Sequence, residues 1–198
     1  MKLLDPIRTV SMALLVFALT APFARAKDAQ LPQLMHLLAQ DKSAKATFVE
    51  RTYIGIIDRP LVSTGDLSFA APDSLEKRTL TPKPELLVLR GNTLKIERPG
   101  KRLMTIGLEG HPEISAFIES IRGTLAGDLT ALKALYSLRL TGPIGNWRLV
   151  LTPKQRRLSR IFSRIRIGGS DAVVRTIELD QRDGDHSIMV ITPVSRRQ

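Results

Sequence analysis

Between about residue 45 and residue 191, apolar and polar side chains alternate in short runs that are separated by turn-forming residues. In residues 61–69, for example, Leu67 and Phe69 fall on one side of the run, and Asp66 and Ser68 fall on the other. A period of two belongs to β-strands with one buried face, and short turns between such runs join them as hairpins. The pattern therefore predicts about ten strands in an antiparallel sheet.

Three segments have helical spacing instead. Residues 30–42 carry apolar side chains three and four positions apart, which predicts an amphipathic helix before the first strand. Pro112 opens a second helix that Gly123 ends, and Asp128 caps a third. This order predicts an α+β fold, in which a strongly curved antiparallel sheet, or an incomplete β-barrel, is covered by helices.

The N-terminus has the features of a cleavable secretory signal peptide. Lys2 and Arg8 precede an uncharged apolar run, residues 9–21, and Ala24-Arg25-Ala26 fits a cleavage site. A membrane anchor is the alternative, but the run is shorter than the roughly 20 residues that span a bilayer. We expect residues 1–26 to be removed and residues 27–198 to form a single domain in the periplasm. Cysteine is absent, so this domain would fold without disulfides.

The charge of the chain narrows the classes of partner. It has 30 basic and 19 acidic residues, of which the predicted leader holds three and one, so the mature chain keeps 27 and 18 and a net charge of +9. Inside a cell this charge would suggest nucleic acid. After export we expect no nucleic acid, and instead transient contact with an anionic membrane or an acidic protein partner.

Part of the positive charge is concentrated in one short region. Its basic residues are Lys154, Arg156, Arg157, Arg160, Arg164 and Arg166. Alternation predicts that the last three share a strand face, with Phe162 between them. The cluster is either a solvated outer face or a docking patch for a negative surface, and the docking interpretation includes all of these residues except Lys154.

Residues capable of catalysis or metal binding form no recognisable motif. His36, His111 and His186 lie far apart in the sequence, so there is no local zinc-binding pattern. The sequence also lacks a cysteine nucleophile, a G-x-S-x-G elbow, a P-loop and a dinucleotide-binding fingerprint. Asp183-Gly184-Asp185 is more typical of a turn than of a calcium loop. We predict a protein that is not an enzyme and that uses no metal ion or cofactor.

Aliphatic side chains are abundant throughout the predicted strands and helices. Leucine and isoleucine lie on one face of nearly every predicted strand, and the predicted helices add more. An ordinary filled core would account for this supply. If the helices pack loosely against the concave side of a curved sheet, however, the same residues enclose a cavity for an apolar ligand. The residues alone leave both possibilities open.

The order of these elements and several local patterns resemble one protein family. The segments that carry the resemblance are Ala46–Glu50, Ser63–Phe69, Leu75–Thr79, Leu87–Ile96, Ile121–Asp128 and Trp147–Pro153. Together with the leading helix they cover nearly the whole predicted mature chain. They are similar to the periplasmic lipoprotein carriers of the LolA/LolB superfamily, and most closely to its LolA-related branch.

The resemblance implies a carrier that shields the acyl chains of a lipoprotein or another lipid in an apolar cavity and moves them from the inner to the outer membrane. It further implies a monomer that meets an inner-membrane exporter and an outer-membrane acceptor. The expected wall and lid residues are Leu67, Phe69, Leu87, Leu89, Leu94, Ile96, Ile114, Phe117, Ile118, Ile121, Leu149 and Leu151. The rival interpretation is a non-catalytic envelope scaffold with a filled core, which docks through the basic strand to an anionic membrane or an acidic partner.

One position departs from the family pattern. The better-known carriers have an arginine immediately before the proline that joins two adjacent strands, where it bonds to the lid helices; here Ala71 precedes Pro72. Arg78 is the candidate substitute. Members of the related branch are associated with export of other lipids or lipid-linked pigments, so the expected cargo is broad.

Overall fold

An antiparallel sheet of eleven strands dominates the computed structural model, which describes residues 23–194, with side chains from residue 30. Residues 1–22 of the predicted signal peptide lie outside the described residues. The strands are β1 (Ser43–Tyr53), β2 (Leu61–Ala70), β3 (Ser74–Thr81), β4 (Glu85–Arg90), β5 (Thr93–Glu97), β6 (Met104–Gly107), β7 (Tyr136–Thr141), β8 (Trp147–Pro153), β9 (Phe162–Ser170), β10 (Val173–Gln181) and β11 (His186–Pro193). The helices are α1 (Phe23–Leu38), α2 (Pro112–Leu125), α3 (Leu129–Leu135) and α4 (Arg156–Ser159).

The strand order of the sheet is β6-β5-β4-β3-β2-β1-β11-β10-β9-β8-β7. All neighbouring strands are antiparallel, and β11 returns to the middle of the sheet to pair with β1. β6 and β7 are the two edges, so the sheet is open and does not close into a barrel. The predicted α+β fold with an antiparallel sheet under helices is confirmed. So is the pairing of β2 with β3, which the turn containing Pro72 connects.

The first helix differs from its predicted bounds. α1 starts before residue 30 and ends at Leu38 instead of residue 42. Beyond Leu38 the chain turns tightly: the Asp41 N–H donates to the Leu38 carbonyl at 3.2 Å, and Lys42 Nζ donates to the Ala39 carbonyl at 2.8 Å. These bonds satisfy carbonyls that the end of a helix leaves free, so the helix stops where its apolar stripe stops.

α2 and α3 meet at close range. α2 continues to Leu125, two residues beyond the predicted end at Gly123. Gly123 serves as a contact site, because a Cβ there would lie 3.0 Å from Leu132 Cδ2 of α3. The Asp128 carboxylate accepts a hydrogen bond of 2.9 Å from the Ala131 N–H, which confirms the predicted cap of α3.

The predicted face assignment at the start of β9 is wrong. Phe162 is buried, Ile161 is exposed, and Arg160 lies before the strand. The register between β9 and β10 shifts between Asp180 and Gln181, and such a bulge breaks the alternation of faces. Phe162 therefore joins the core instead of lying between the arginines.

The helices fill only part of the concave side of the sheet. α1 and α3 pack on β7, and α4 packs on β8 and β9. The filled core lies there, and its most deeply buried members include Leu34, Leu38, Leu132, Tyr136, Trp147, Leu149, Leu151, Leu158 and Ile165. In the described part of the chain, no helix packs on β2–β5 to a comparable extent.

We expect Gly65→Ala to lower the free energy of unfolding by at least about 2 kcal/mol. Gly65 of β2 lies beneath the Phe48 ring, and an added Cβ would meet the Arg78 carbonyl oxygen at 1.9 Å. Urea denaturation measures the loss. Gly107→Ala is the control, since nothing lies within 4 Å of a Cβ there. Equal losses for the two variants would contradict the assignment.

Candidate functional site

An apolar cavity of about 1010 Å³ lies between the concave face of the sheet and α2. Its wall comes from β1–β5 and β9–β11, and side chains of α2 cover it. Pockets for drug-sized ligands span roughly 300–1,000 Å³, so this one is at the upper end of that range. It lies over the strands that α1, α3 and α4 leave uncovered. The structure therefore contains both a filled core and a cavity, side by side under one sheet.

Most of the residues predicted to form the cavity do lie on its wall. Those that line it are Leu67, Phe69, Leu87, Leu89, Leu94, Phe117, Ile118 and Ile121. The strand residues among them point to the concave face, as the alternation indicated, and the three α2 residues face the sheet. Their role in ligand binding stays a prediction.

Four of the predicted residues lie elsewhere. Leu149 and Leu151 of β8 are fully buried in the filled core, because α4 packs over that strand. Ile96 lies two residues beyond Leu94 towards the β5–β6 loop, and Ile114 lies in the first turn of α2; neither lines the cavity. The alternation identified the correct face of β8, but it could not show which length of that face the helices fill.

The prediction missed an entire side of the wall. On this side, β10 and β11 contribute Val174, Ile177, Leu179, Met189 and Ile191. Leu75 of β3 and Leu125 of α2 also line the cavity. Within β10 and β11 these residues alternate, except that a register shift separates Val174 from Ile177, so most of them could be placed on a face. Their part in the same cavity depends on the pairing of β11 with β1, which no local pattern reveals.

α2 is attached to the sheet at two separate points. The Tyr136 hydroxyl of β7 donates a hydrogen bond of 2.7 Å to the Ala116 carbonyl. On the cavity side, Arg122 Nη1 donates to the Gly91 carbonyl in the β4–β5 turn at 3.0 Å, and Arg122 also pairs with Glu119. Burial, and then the Glu119 charge, raise the pKa of Tyr136, so its hydroxyl keeps the proton that it donates. α2 therefore covers the cavity as a lid, and the Arg122–Gly91 contact is a latch between this lid and the sheet.

The cavity wall contains one close ion pair. Lys77 Nζ of β3 lies 2.5 Å from Glu50 Oε2 of β1 and 5.0 Å from the centre of the Phe48 ring. Their side chains are 27% and 17% exposed, so both charges are largely withdrawn from solvent. The pair and the cation–π contact let Lys77 lie across β2 within an otherwise aliphatic surface. Gly65 has no side chain, so it leaves room for the Phe48 ring that lies over it.

Arg78 does not replace the family arginine whose position Ala71 occupies. Its side chain lies on the opposite face of β3 from Lys77, is half exposed and pairs with Glu76 at 3.3 Å. The bond between sheet and lid instead comes from Arg122, on the lid itself. The direction of the contact is thus reversed, with the cation on the helix and the acceptor on a turn of the sheet.

The predicted basic patch is divided in two. Arg166 bonds Glu178 at 2.6 Å and Asp180 at 2.8 Å, and Arg164 lies 3.4 Å from Asp180, so acidic neighbours on β10 offset both charges. The remaining members, Arg156, Arg157 and Arg160, lie in the exposed β8–β9 loop. A single docking face made of all five arginines stays a prediction, in which acidic neighbours partly offset the charges of Arg164 and Arg166.

Within residues 23–194, no helix is long and apolar enough to cross a membrane, and no cluster of histidine and acidic side chains could hold a metal ion.

One family model matches most of the chain. The model of a family described as outer membrane lipoprotein carrier protein LolA-like matches residues 21–196. An outer-membrane lipoprotein carrier protein of Pseudomonas fluorescens (strain Pf0-1) is 23% identical over 96% of this chain and 90% of the relative.

Two solved structures are similar over most of their length. One is the LolA superfamily protein NE2245 from Nitrosomonas europaea, with a TM-score of 0.46, 10% identity, and coverage of 87% of this chain and 94% of that one. The other is a putative outer membrane lipoprotein-sorting protein domain from Vibrio parahaemolyticus, with a TM-score of 0.43, 10% identity, and coverage of 85% and 93%.

We expect Arg122→Gln to release α2 from the β4–β5 turn. Amide hydrogen exchange in residues 117–125 should accelerate about tenfold, because the charged hydrogen bond to Gly91 is lost, while exchange in β7–β9 stays the same. Arg139→Gln, at an exposed position of β7, is the control and should change neither region. Unaltered protection of α2 in Arg122→Gln would show that the latch does not hold the lid.

We also expect Glu50→Gln to lower the free energy of unfolding by about 1–3 kcal/mol, since it leaves the Lys77 ammonium without its carboxylate. Adding Lys77→Met should restore part of this loss, because the unpaired charge is then gone. Glu97→Gln, at an exposed position of β5, is the control. Strictly additive losses in the double variant, measured by urea denaturation, would rule out coupling between the two side chains.

Proposed function

The chain belongs to the LolA-like family of outer membrane lipoprotein carrier proteins, and we propose that it is itself a periplasmic carrier of acyl chains. Its cargo is a lipoprotein or another lipid, which it shields in the apolar cavity and moves from the inner to the outer membrane. The observation that carries the proposal is the cavity of about 1010 Å³ in a chain of this family.

The work of such a carrier is desolvation. Each CH₂ group of an acyl chain that leaves water is stabilised by about 0.8 kcal/mol, so a chain in the aliphatic cavity has little tendency to escape into the periplasm. The wall of β1–β5, β10 and β11 provides the apolar surface, and Phe117, Ile118 and Ile121 of α2 cover it. The proposed role requires no nucleophile, general base or cofactor.

Loading and release require a cover that opens. The α2 lid suits this task, because the Arg122–Gly91 contact can break while Tyr136 and the packing of Gly123 on Leu132 of α3 still hold the helix. A cargo that contacts Phe117 and Ile118 in the cavity would favour the closed position and bias the equilibrium by its differential affinity.

The rest of the proposal concerns the route. The signal peptide predicted at residues 1–26 would deliver residues 27–198 to the periplasm. There the carrier would act as a monomer between an inner-membrane exporter and an outer-membrane acceptor, as the resemblance to the lipoprotein carriers implies. The cavity is lined mainly by side chains that discriminate little among acyl chains, so the cargo class stays broad.

Native mass spectrometry of the protein isolated gently from producing cells, followed by lipid extraction, tests the proposal. We expect a near-stoichiometric acyl species, and uptake of a fluorescent fatty-acyl probe by protein stripped of lipid. Leu87→Trp/Leu94→Trp should weaken that uptake and leave the protein folded, because the larger rings narrow the cavity without adding charge. Phe117→Asp/Ile118→Asp should abolish it, by placing charge against the acyl chain.

The control for the lid variant is Val190→Asp/Thr192→Asp, which adds two carboxylates on the exposed face of β11. It should take up the probe like the unaltered protein. A protein that is free of lipid, and that takes up no acyl probe in any form, would favour the scaffold instead. Uptake that is unchanged in the narrowed-cavity variant would show that acyl chains bind elsewhere.

A further inference from the structure

The topology sorts the hairpin loops into two groups. Since every neighbouring pair of strands is antiparallel, successive loops lie alternately at the two ends of the strands. One end carries the β1–β2, β3–β4, β5–β6, β8–β9 and β10–β11 loops, which are residues 54–60, 82–84, 98–103, 154–161 and 182–185. These five loops are called the basic end here. The opposite end carries residues 39–42, 71–73, 91–92, 108–111, 142–146 and 171–172.

The two ends differ sharply in charge. The basic end has ten Lys and Arg residues and three Asp residues, which gives a net charge of +7. The loops described at the opposite end have one basic and four acidic residues, which gives −3. Several cations of the basic end are exposed, among them Arg59, Lys101, Arg102 and Arg160. This end therefore attracts negative surfaces, and the other end repels them.

The basic end also holds most of the exposed apolar surface. Of the ten large hydrophobic side chains exposed in the described part of the chain, eight lie in these loops or within two residues of them. They are Ile56, Ile57, Leu61, Val62, Leu80, Leu103, Met104 and Ile161. Ile56 is the extreme case, with 94% of its side-chain surface exposed at the tip of the β1–β2 loop. The apolar side chains at this end thus lie in the same loops as the exposed cations.

Contacts between the loops hold much of this end together. The Gly55 N–H donates to Asp185 Oδ1 at 2.9 Å, which joins the β1–β2 and β10–β11 loops. Arg182 in turn donates through its backbone N–H to the Ile161 carbonyl, and through Nε to the Ser159 carbonyl, both at 2.9 Å. Ile56 and Ile161 therefore belong to one connected surface.

We infer that the basic end docks on the surface of an anionic phospholipid bilayer. In three of these loops a cation lies next to or near an apolar side chain in the sequence. Arg59 lies two residues after Ile57, Arg102 precedes Leu103, and Arg160 precedes Ile161. At a bilayer interface, an apolar side chain enters the acyl boundary while a neighbouring cation pairs with a phosphate. A folded protein partner would need a matching rigid surface for these separate loop tips, whereas a bilayer adapts to them.

This inference is independent of the cargo proposal. None of the loop residues of the basic end lines the cavity, whereas Asp41 and Ala172 at the opposite end do. Docking and acyl binding consequently use separate residues. Changes to the loops should alter bilayer binding and leave uptake of the acyl probe unaltered, so a failure of one proposal is distinguishable from a failure of the other.

Flotation with vesicles tests the inference, using the protein as isolated from producing cells and with all variants prepared in the same way. The unaltered protein should bind vesicles of phosphatidylglycerol and phosphatidylcholine in equal parts, should bind pure phosphatidylcholine far more weakly, and should detach as salt rises. Lys101→Glu/Arg102→Glu should weaken binding at least about tenfold. The control with the same change of charge is Arg139→Glu/Arg175→Glu, at exposed positions of β7 and β10, and it should bind more tightly than the loop variant.

Ile56→Ser/Ile57→Ser tests the apolar part without a change of charge. We expect a loss of at least about tenfold in the affinity for the mixed vesicles. Val190→Ser/Val194→Ser alters the two exposed hydrophobic side chains that lie outside the basic end, and it should bind normally. Equal binding to both kinds of vesicle, no binding at all, or equal losses in the loop and control variants would each overturn the inference.

Discussion

The mismatch between a long curved sheet and the short helices that cover it determines most of what this protein can do. Eleven strands present an aliphatic concave face, and α1, α3 and α4 pack mainly on the strands from β7 to β9. Helices of ordinary length cannot cover a sheet of this width, so the face of β1–β5 must either collapse or stay open. Pairing of β1 with β11 keeps the two halves in one continuous sheet. The open half is therefore held in place by the filled half and does not collapse independently. The cavity is thus a consequence of the fold, and α2 has to bridge it.

The two halves of the concave side have different physical roles. The filled half contains Trp147, Tyr136 and Leu149, which are essentially inaccessible to water, and close packing of this kind supplies stability and a rigid frame. The open half forgoes part of that stabilisation and keeps apolar surface available for a ligand. Tyr136 connects the two, because it belongs to the core and yet its hydroxyl holds α2 over the cavity. Stability and binding are therefore separated along the sheet.

Local patterns in the sequence predicted the parts of this structure that depend on local physics. Asp128 caps α3 because its side chain meets a helix N–H three residues on, and Leu67 faces inward because strand periodicity requires it. Features that depend on long-range packing were out of reach. Leu151 has the same pattern as Leu67, but it is in the filled core because α4 covers β8. Phe162 was assigned to the wrong side because a bulge, which has no signature in its neighbours, interrupts the alternation.

The same antiparallel topology separates three surfaces on each strand of the sheet. Alternation directs one set of side chains to the concave face and the other to the convex face, while hairpin order directs each loop to one end or the other. β1 illustrates all three, since Glu50 lies on the cavity wall, Arg51 is exposed on the other face, and the strand leads directly to the tip at Ile56. Substitution on one surface need not disturb the others. A chain of this fold can therefore change what it docks on without changing what its cavity encloses, which requires only that the loops, and not the strands, carry the exposed apolar and basic residues.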